Sequence, residues 1–351
     1  MTVNKQVRLA KRPVGRADES TWEITTEPIP EPGDGEFAVR VEYISLDPAM
    51  RGWIGEVPTY VAPVELGAVM RAHAVGRVYA SRHPEYEVGQ MVSGMFGVCE
   101  YAVSDGRTDV MHVDESLAPA PAWLGALGFP GLTAYFGLLD VGKMKPGDTV
   151  LISGAAGAVG SIAGQIAKLS GCRVIGVAGG PEKCAWLTDE LGYDVAIDYK
   201  AGSIGKALRA AAPKGIDVYF DNVGGEVLES ALGHLRRGAR IALCGGISSY
   251  NATDPQPGPS RYMQLLMKRA SLTGFIVFDF ARRYPEAYAA LGHWIRRGDV
   301  VTHEQVETGG IEAYGRTMNM LFDGANTGKL VLQVGDGLAG AAPVAAQAAG
   351  N

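Results

Sequence analysis

The stretch LISGAAGAVGSIAGQIAKL, from Leu151 to Leu169, decides the fold of this chain. The run TVLIS (residues 149–153) follows a Pro-Gly turn and is rich in β-branched residues, which predicts a strand. Glycines and alanines come next, and a helical segment then runs to SGC, where Gly171 is suited to end a helix. The segment therefore predicts a strand, a tight turn and a helix.

A membrane span is the alternative interpretation of the same stretch. Residues 150–167 are nearly free of charge and contain the G-x-x-x-G pattern Gly160 to Gly164, which can pack membrane helices together. Glycines at 154, 157 and 160 would weaken a spanning helix, and the segment stands alone. We therefore favour the strand, turn and helix, and we predict no membrane partner.

Short apolar runs alternate with helical patterns after this segment. The predicted strands are CRVIGVAG, VAIDY, IDVYFDNV and RIALCGG, and the predicted helices are PEKCAWLTDELG, SIGKALRAAAP and EVLESALGHLRRG. This alternation is typical of βαβ units, whose parallel sheet is buried on both faces. The predicted fold class is α/β, with a doubly wound parallel sheet of the Rossmann type.

The turn at residues 154–157 is suited to a phosphate group. A helix N-terminus offers unpaired N–H groups and partial positive charge, and small residues let an anion approach closely. The dinucleotide fingerprint G-x-G-x-x-G appears here as Ala155-x-Gly157-x-x-Gly160, with Gly154 just before it. Its position after a strand and before a helix favours a pyrophosphate site, while glycines needed only for packing are the structural alternative.

The end of the second strand of this unit bears on the choice of dinucleotide. NAD enzymes usually place an acidic residue there for the ribose 2′-OH, whereas a cation suits the 2′-phosphate of NADP. The strand ends VAGGPEK, without an acid at residues 178–180 and with Lys183 at the start of the next helix. This pattern favours NADPH, although Glu182 is adjacent and a lysine there is often only solvated.

Composition limits the remaining possibilities. The 351 residues suggest about two domains, and a net charge of −6 gives no basic surface for nucleic acid or an anionic membrane. The cysteines Cys99, Cys172, Cys184 and Cys244 lie far apart, without C-x-x-C spacing, so we expect neither disulfides nor a cysteine zinc cluster. No secretory signal is apparent, and we expect a reducing cytoplasm and a small-molecule partner.

Several long strings carry a family resemblance. They are YISLDPAMRGWI (residues 43–54), PVELGAVMRAHAVGRV (63–78), GFPGLTAYFGLLDVGKMKPGDTVLISGAAGAVG (128–160), YFDNVGGE (219–226) and IALCGGISSYN (241–251). Through them the chain resembles the zinc-independent medium-chain dehydrogenase/reductases, in the branch that contains prostaglandin reductase, curcumin reductase and plant alkenal double-bond reductases. The resemblance covers almost the whole chain.

The resemblance implies a domain plan. It places a mostly β, GroES-like catalytic domain at residues 1–126, the Rossmann dinucleotide-binding domain at 127–312, and a C-terminal return to the catalytic domain at 313–336. The Gly- and Pro-punctuated short strands of the N-terminal part agree with this division. The alanine- and glycine-rich segment 337–351 has almost no large apolar residues and is predicted to be a disordered tail.

A metal is not expected. Zinc enzymes of this superfamily carry a Gly-His-Glu string where this chain has Arg71-Ala72-His73, and they have cysteine ligands that this chain lacks. The other histidines, at positions 83, 112, 234, 293 and 303, show no H-x-x-x-H or H-E-x-x-H spacing. We predict NADPH as the cofactor and no metal.

The resemblance also implies which residues contact NADPH. The pyrophosphate would meet Gly157, Ala158, Val159 and Gly160, the 2′-phosphate would meet Lys183, and the adenosine side would meet Tyr199. The nicotinamide half would be lined by Asn222, Cys244, Gly245, Gly246, Ile247, Ser248, Ser249, Tyr250, Phe275, Ile276 and Val277. Asn326 would reach in from the C-terminal segment.

The activity implied is hydride transfer from NADPH to the β carbon of an α,β-unsaturated ketone or aldehyde. Tyr250, in GGISSYN, matches the tyrosine beside nicotinamide in the plant double-bond reductases, and its phenol is suited to assist an enolate. Tyr60 is a second candidate. The predicted substrate pocket contains Tyr43, Met50, Trp53, Tyr60, Tyr262, Met263 and Phe278.

Two other functions remain open at this point. A quinone oxidoreductase on the same scaffold is the nearest enzymatic alternative, and a non-catalytic NADPH-binding protein is the alternative outside enzymes. Tyr250 could also be a residue that merely covers the cleft. Homodimerisation is expected from the resemblance.

Overall fold

The structure is a computed structural model that describes residues 3–107 and 110–334. The strands are β1 (Val3–Leu9), β2 (Trp22–Pro28), β3 (Phe37–Ser45), β4 (Ala74–Ser81), β5 (Met91–Gly94), β6 (Tyr101–Ser104), β7 (Met111–His112), β8 (Thr149–Ser153), β9 (Arg173–Ala178), β10 (Val195–Asp198), β11 (Ile216–Asp221), β12 (Leu235–Leu243), β13 (Ser271–Gly274), β14 (Glu304–Glu307) and β15 (Lys329–Gln333). The predicted tail at 337–351 lies outside the described residues.

Helices connect these strands and cover their faces. The α-helices are α1 (Met50–Trp53), α2 (Phe129–Phe136), α3 (Ala158–Leu169), α4 (Pro181–Asp189), α5 (Ile204–Ala211), α6 (Gly225–Leu232), α7 (Met263–Lys268), α8 (Tyr284–Arg297) and α9 (Tyr314–Asp323). A π-helical turn, Gly137–Val141, continues α2. Short 3₁₀ turns cover Glu19–Thr21, Ala120–Leu124, Ile247–Ser249, Val277–Arg283 and Ile311–Ala313.

A six-stranded sheet forms the dinucleotide-type domain. Its order is β10-β9-β8-β11-β12-β13, and each neighbouring pair is parallel. This order reverses direction between β8 and β11, which is the topological switch point of a doubly wound sheet. Apolar clusters cover both faces of the sheet, one including Val150 and Ile152 and the other Leu151 and Tyr219. The predicted α/β Rossmann class is confirmed.

The second domain is a seven-stranded, mostly antiparallel sheet. Its order is β14-β15-β3-β4-β5-β7, and β6 also pairs with β3. Its core is built on Phe37, Val39 and Ile44 of β3, against Leu330 and Leu332 of β15. The C-terminal segment therefore completes the sheet that the N-terminal segment begins.

The order of the elements corrects two predicted boundaries. β14 begins at Glu304 and belongs to the seven-stranded sheet, so the chain returns to the catalytic domain before the predicted residue 313. The sequence EVLESALGHLRRG was predicted as one helix, but Gly233 caps α6 and the chain enters β12 at Leu235. There Leu235 pairs with Ile216 of β11, because tertiary pairing outweighs local helical preference.

The opening stretch folds as predicted. Residues 150–167 form most of β8, the turn and most of α3, and Gly171 follows the helix with a φ of +75°. No helix in residues 3–107 or 110–334 has both the length and the apolar character that a membrane crossing requires. Gly164 of the G-x-x-x-G pattern instead packs against the Tyr193 ring, whose hydroxyl donates to the Gly160 carbonyl at 2.7 Å.

Gly164→Ala tests this packing. A Cβ on Gly164 would lie 2.0 Å from the Cζ of the buried Tyr193 ring, so the ring must move and its bond to Gly160 must weaken. We expect the free energy of unfolding to fall by about 1–3 kcal/mol, as for overpacked cores. Urea unfolding measures the change.

Gly205→Ala is the matched control for this experiment. Gly205 also lies in a helix, but the nearest atom to its Cβ position is 3.8 Å away. Alanine there should leave stability unchanged or raise it by up to about 1 kcal/mol, because alanine favours the helix. Equal stability of the two variants would contradict the assigned packing role of Gly164.

Candidate active site

The turn after β8 presents the start of α3 to a cleft between the two domains. Gly154 adopts a φ of +58°, and Gly157 precedes the first helical residue as its N-cap. A Cβ on Gly160 would lie 2.3 Å from the Gly154 carbonyl oxygen, so only glycine allows the helix to pack this closely on the turn. The first N–H groups of α3 have no intrahelical partner and face the cleft, an arrangement that suits an anion.

The buried carboxylate of Asp221 connects the two strands at the switch point. Its Oδ1 accepts hydrogen bonds from the Ser153 hydroxyl at 3.0 Å and the Tyr219 hydroxyl at 2.6 Å. The same oxygen accepts from the backbone N–H groups of Val223 and Gly224 at 3.0 and 2.9 Å. The loop after β11 is thereby fixed beside the end of β8.

The cleft has a volume of about 600 Å³ and lies at the carboxyl ends of the parallel strands. Open α/β sheets bind their ligands at this edge, and this volume lies within the range of about 300–1,000 Å³ found for small-molecule sites. Both domains contribute side chains to its wall. The seven-stranded domain contributes Asp47, Trp53, Tyr60 and His73.

Most residues predicted to contact a cofactor line this one cleft. They are Gly157, Ala158, Val159, Gly160, Lys183, Tyr199, Asn222, Cys244, Gly245, Ile247, Ser248, Tyr250, Phe275, Ile276, Val277 and Asn326. Gly246 and Ser249 differ: neither belongs to the lining, and both take part in hydrogen bonds within the loop. These bonds support the loop, and the contact of Gly246 and Ser249 with a cofactor stays a prediction.

Tyr250 and Cys244 stand together in the dinucleotide-domain wall. The Tyr250 hydroxyl oxygen accepts the N–H of Gly246 at 3.1 Å, which leaves its own O–H free to donate. Burial raises the pKa of Tyr250 above its usual value, although the Gly246 N–H lowers it in part. Burial also raises the pKa of Cys244 to about 12, helped by the nearby charge of Asp221. Both groups are therefore protonated at neutral pH.

A second part of the cleft wall is aromatic and includes side chains of both domains. Phe278 makes an edge-to-face contact with Phe129 at 5.2 Å between ring centroids, and another with Tyr60 at 6.2 Å. Trp53 is buried beside them, under the Arg71 guanidinium, which lies 5.6 Å from the indole ring. Burial raises the pKa of Tyr60, and the Trp53 indole lowers it in part. This part of the wall is apolar apart from the phenol of Tyr60.

Four residues predicted for the substrate pocket lie elsewhere. Met50 is fully buried in the seven-stranded domain, where the Tyr314 hydroxyl lies 3.8 Å from its sulfur. Tyr43 lies in β3, and burial and the charges of Glu42 and Glu115 raise its pKa. The exposed side chains Tyr262 and Met263 are at the start of α7, outside the cleft lining.

An ion pair at the cleft floor was not predicted from the sequence. Lys329 is only 2% exposed, and its ammonium donates to Asp47 at 2.8 Å and to the Leu46 carbonyl at 2.7 Å. Burial alone would raise the pKa of Asp47, but Lys329 and Ser45 hold it below its usual value. Glu304 lies opposite Lys329 in the pairing of β14 with β15, and burial raises the pKa of Glu304 to about 7. In the sequence, a lysine at the start of the largely apolar run KLVLQ (residues 329–333) was the feature that could have indicated this ion pair.

The cleft and the sheet together define a class of protein. A parallel sheet with a glycine turn at its switch point, opening on a cleft shared with a second domain, is the architecture of a two-domain dinucleotide-dependent oxidoreductase. The comparisons with known proteins agree. Residues 5–113 match a family described as the N-terminal domain of oxidoreductase, and residues 158–293 match one described as zinc-binding dehydrogenase.

Relatives extend over nearly the full length. The NADPH-dependent curcumin reductase of Escherichia coli (strain K12) is 42% identical over 337 residues, covering 94% of this chain and 97% of that protein. Prostaglandin reductase 1 of Bos taurus is 40% identical over 334 residues, covering 94% of this chain and 98% of that protein.

The fold comparison agrees with these relatives. The crystal structure of CurA from Vibrio vulnificus in complex with NADPH superposes with a TM-score of 0.88 at 43% identity, covering 94% of this chain and 99% of that one. The chain belongs to the zinc-independent branch of the medium-chain dehydrogenase/reductase family. The family resemblance predicted from the sequence is thereby confirmed.

The name of the second domain family raises the question of a zinc site. His73 belongs to the segment 71–73, where zinc enzymes of the superfamily carry their Gly-His-Glu string. Its ring lies 4.8 Å from the Phe129 ring between centroids, and its Nε2 is 3.4 Å from the Ser93 hydroxyl. Burial lowers the pKa of His73 to about 4, so the imidazole is neutral. Among the described residues no group of three or more His, Cys, Asp or Glu side chains could hold a metal ion. The residues around His73 therefore do not fit a zinc centre.

Proposed function

We propose that the protein is an NADPH-dependent reductase of the C=C bond of α,β-unsaturated ketones or aldehydes. One observation carries this proposal: the phosphate-type turn, Lys183 and the Tyr250 phenol line the same interdomain cleft. The names of the curcumin and prostaglandin reductases that this chain resembles support the same class of reaction. The choice of substrate within that class belongs to the proposal.

The cofactor site suits NADPH along its length. The helix start at Gly157 to Gly160 is placed to hold the pyrophosphate, and Lys183 to hold the 2′-phosphate. The half-exposed Tyr199 ring suits the adenosine side, while Asn222 and Cys244 suit the nicotinamide half. Bound NADPH supplies the hydride that reaches the β carbon of the substrate. The remaining tasks belong to the chain's own residues.

Tyr250 stabilises charge on the substrate oxygen in this proposal. An enolate oxygen needs a hydrogen-bond donor as negative charge develops. The Tyr250 oxygen is already occupied by the Gly246 N–H, so its hydrogen is directed to another acceptor. Its raised pKa keeps that hydrogen in place at neutral pH. Tyr60, from the seven-stranded domain, is a second phenol in the cleft lining.

The aromatic wall orients the substrate and excludes water. Trp53, Phe129 and Phe278 give the cleft an apolar surface that suits a conjugated or aromatic enone. Exclusion of water strengthens each hydrogen bond to the developing charge. A neutral enone with an apolar or aromatic substituent is therefore the proposed substrate type.

A substrate panel tests the proposed reaction. NADPH absorbance is followed with a cyclic enone, a long-chain enal, a curcumin-like dienone and a simple quinone, and the products are identified. We expect saturated ketones or aldehydes from the enones and enals. Hydroquinone as the sole product would replace the proposal with quinone reduction. NADPH binding without turnover on any of them would replace it with a binding role.

Tyr250→Phe tests the assigned phenol. We expect kcat to fall by about 100-fold, the scale of a lost proton-transfer or oxyanion contact, while the dissociation constant of NADPH stays within about twofold. Stopped-flow single turnover and NADPH fluorescence titration measure the two quantities. Tyr262→Phe is the control, because Tyr262 is exposed outside the cleft and its change should leave both unaltered. Normal turnover in Tyr250→Phe would remove Tyr250 from the mechanism.

We also propose a homodimer formed through the edge of the parallel sheet. β13 is the edge strand of that sheet, and a second β13 could pair with it around a twofold axis. The neighbouring helix α7 exposes Met263, Leu266 and Met267 to solvent, with 46, 69 and 54% of their surface accessible. Adjacent exposed apolar side chains of this kind mark interaction surfaces.

A double charge substitution tests the dimer. Leu266→Glu with Met267→Glu should shift the protein from dimer to monomer in light scattering coupled to size-exclusion chromatography, because like charges would meet across the axis. Leu66→Glu is the control, since Leu66 is 58% exposed and belongs to the segment before β4 of the seven-stranded domain. A monomeric unsubstituted protein at all concentrations would refute the dimer.

The compartment that we propose is the reducing cytoplasm. Cys99, Cys172, Cys184 and Cys244 are all free thiols in the structure. Burial raises the pKa of Cys99 to about 12 and that of Cys172 to about 11, so these thiols serve as packing groups. Unpaired cysteines of this kind suit a reducing compartment.

A further inference from the structure

Lys183 connects the two domains at the cofactor end of the cleft. It lies in the first turn of α4, and its ammonium donates to the carbonyl oxygens of Gly324 at 2.8 Å and Asn326 at 2.6 Å. Both carbonyls belong to the loop 324–328, which joins α9 to β15 in the seven-stranded domain. A side chain expected only at a phosphate thus also holds a loop of the other domain.

The same loop is attached to the phosphate-type turn. The N–H of Gly328 donates to the Ala156 carbonyl at 2.8 Å, and Gly328 forms a parallel β-bridge with Gly157. A Cβ on Gly328 would lie 2.3 Å from the His303 carbonyl oxygen, so the backbone passes through a tight gap. The loop is therefore held at one end by the turn and near its other end by Lys183.

The charge of Lys183 is left without a counter-charge. Within the part of the chain that the structure describes, no Asp or Glu oxygen forms an ion pair with its ammonium. Burial lowers the pKa of Lys183, and the nearby Lys200 lowers it further. An ammonium has three N–H donors, and the loop carbonyls take two of them. One donor and the whole charge remain for an anion in the cleft.

The loop leads directly to the cleft floor. Its last residue precedes Lys329, whose ammonium pairs with Asp47 in the cleft wall at 2.8 Å. A displacement of the loop would therefore move the start of β15 and the carboxylate that faces the substrate space. Lys183 is connected to the substrate end of the cleft through this short path.

We propose that Lys183 is a positioning residue that holds the 2′-phosphate of NADPH and the loop 324–328 at the same time. This role of Lys183 rests on the proposed NADPH-dependent reduction. Two of its hydrogen bonds order the loop whether or not a phosphate is present, and the third binds the phosphate. Lys183 therefore supports turnover with NADH, which has no 2′-phosphate, as well as with NADPH.

Lys183→Met tests this with both cofactors and one enone substrate. The variant keeps the length and apolar stem of the side chain and removes the ammonium. With NADPH, we expect KM to rise by about 10- to 100-fold, as for loss of a charged hydrogen bond. With NADH, we expect kcat to fall by at least about threefold, because the loop contacts are lost. A residue that contacts only the 2′-phosphate would leave turnover with NADH unchanged or improve it.

Lys200→Met is the matched control. Lys200 is the neighbouring cation, with its ammonium 5.9 Å from the Tyr199 ring centre, and no side-chain hydrogen bond to the loop is present in the described residues. Its loss should leave NADH kinetics unchanged. An equal fall of kcat with NADH in the Lys183 and Lys200 variants would overturn the proposal, since it would indicate a general charge effect.

Hydrogen exchange gives a second readout that needs no turnover. In the cofactor-free protein, the amides of Ala325, Thr327 and Gly328 donate to Met320, Gln305 and Ala156, and they report the order of the loop. We expect faster exchange of these amides in Lys183→Met than in the unsubstituted protein, with unchanged exchange in the β8 and β11 core. Unchanged exchange in the loop would overturn the proposal. Absence of enone reduction by the unsubstituted protein would overturn only the proposed function, because the exchange result stands apart from it.

Discussion

The buried carboxylate of Asp221 is the constraint on which the cleft depends. A buried carboxylate depends on hydrogen bonds for its stability, and Oδ1 of Asp221 accepts four of them, while Oδ2 is buried without a partner among the described residues. Those bonds join the end of β8, just before the phosphate-type turn, to the loop after β11. The Asp221 carbonyl in turn accepts the N–H groups of Cys244 and Gly245. One residue thus sets the positions of three segments in the cleft wall.

Local patterns were sufficient for the dinucleotide-type domain. The β-branched run at β8, the glycine turn and the stop at Gly171 are all encoded by nearby residues, so their outcome matched the prediction. The start of β12 is not encoded by nearby residues. The segment that begins LRRG is locally compatible with a helix, and the pairing of Leu235 with Ile216 makes it a strand. β14 was missed for a similar reason: EQVE carries polar residues, and only its pairing with β15 makes it a strand.

The site could be predicted only in part, because some of its residues lie in continuous motifs and others come together only in the fold. Lys183 and Tyr250 lie in continuous motifs, and both line the cleft. The Asp47–Lys329 pair joins residues 282 positions apart, so neither partner indicates the other in the sequence. Tyr262 and Met263 were predicted to line the substrate pocket, and the fold leaves both exposed beside an edge strand. Apolar character alone does not distinguish a pocket wall from an exposed face.

The thiol of Cys244 has a consequence for how the protein tolerates its substrates. Enones and enals are electrophiles that alkylate thiolates, and a cysteine in the cleft wall is the nearest thiol that they would meet. Burial raises the pKa of Cys244 to about 12, so the thiol stays protonated and the reactive thiolate is scarce at neutral pH. The same Asp221 that shapes the cleft supplies part of that shift. A thiol held in this protonated state reacts slowly with electrophiles, so the cleft can accept an electrophilic ligand of the proposed kind without losing Cys244 to alkylation.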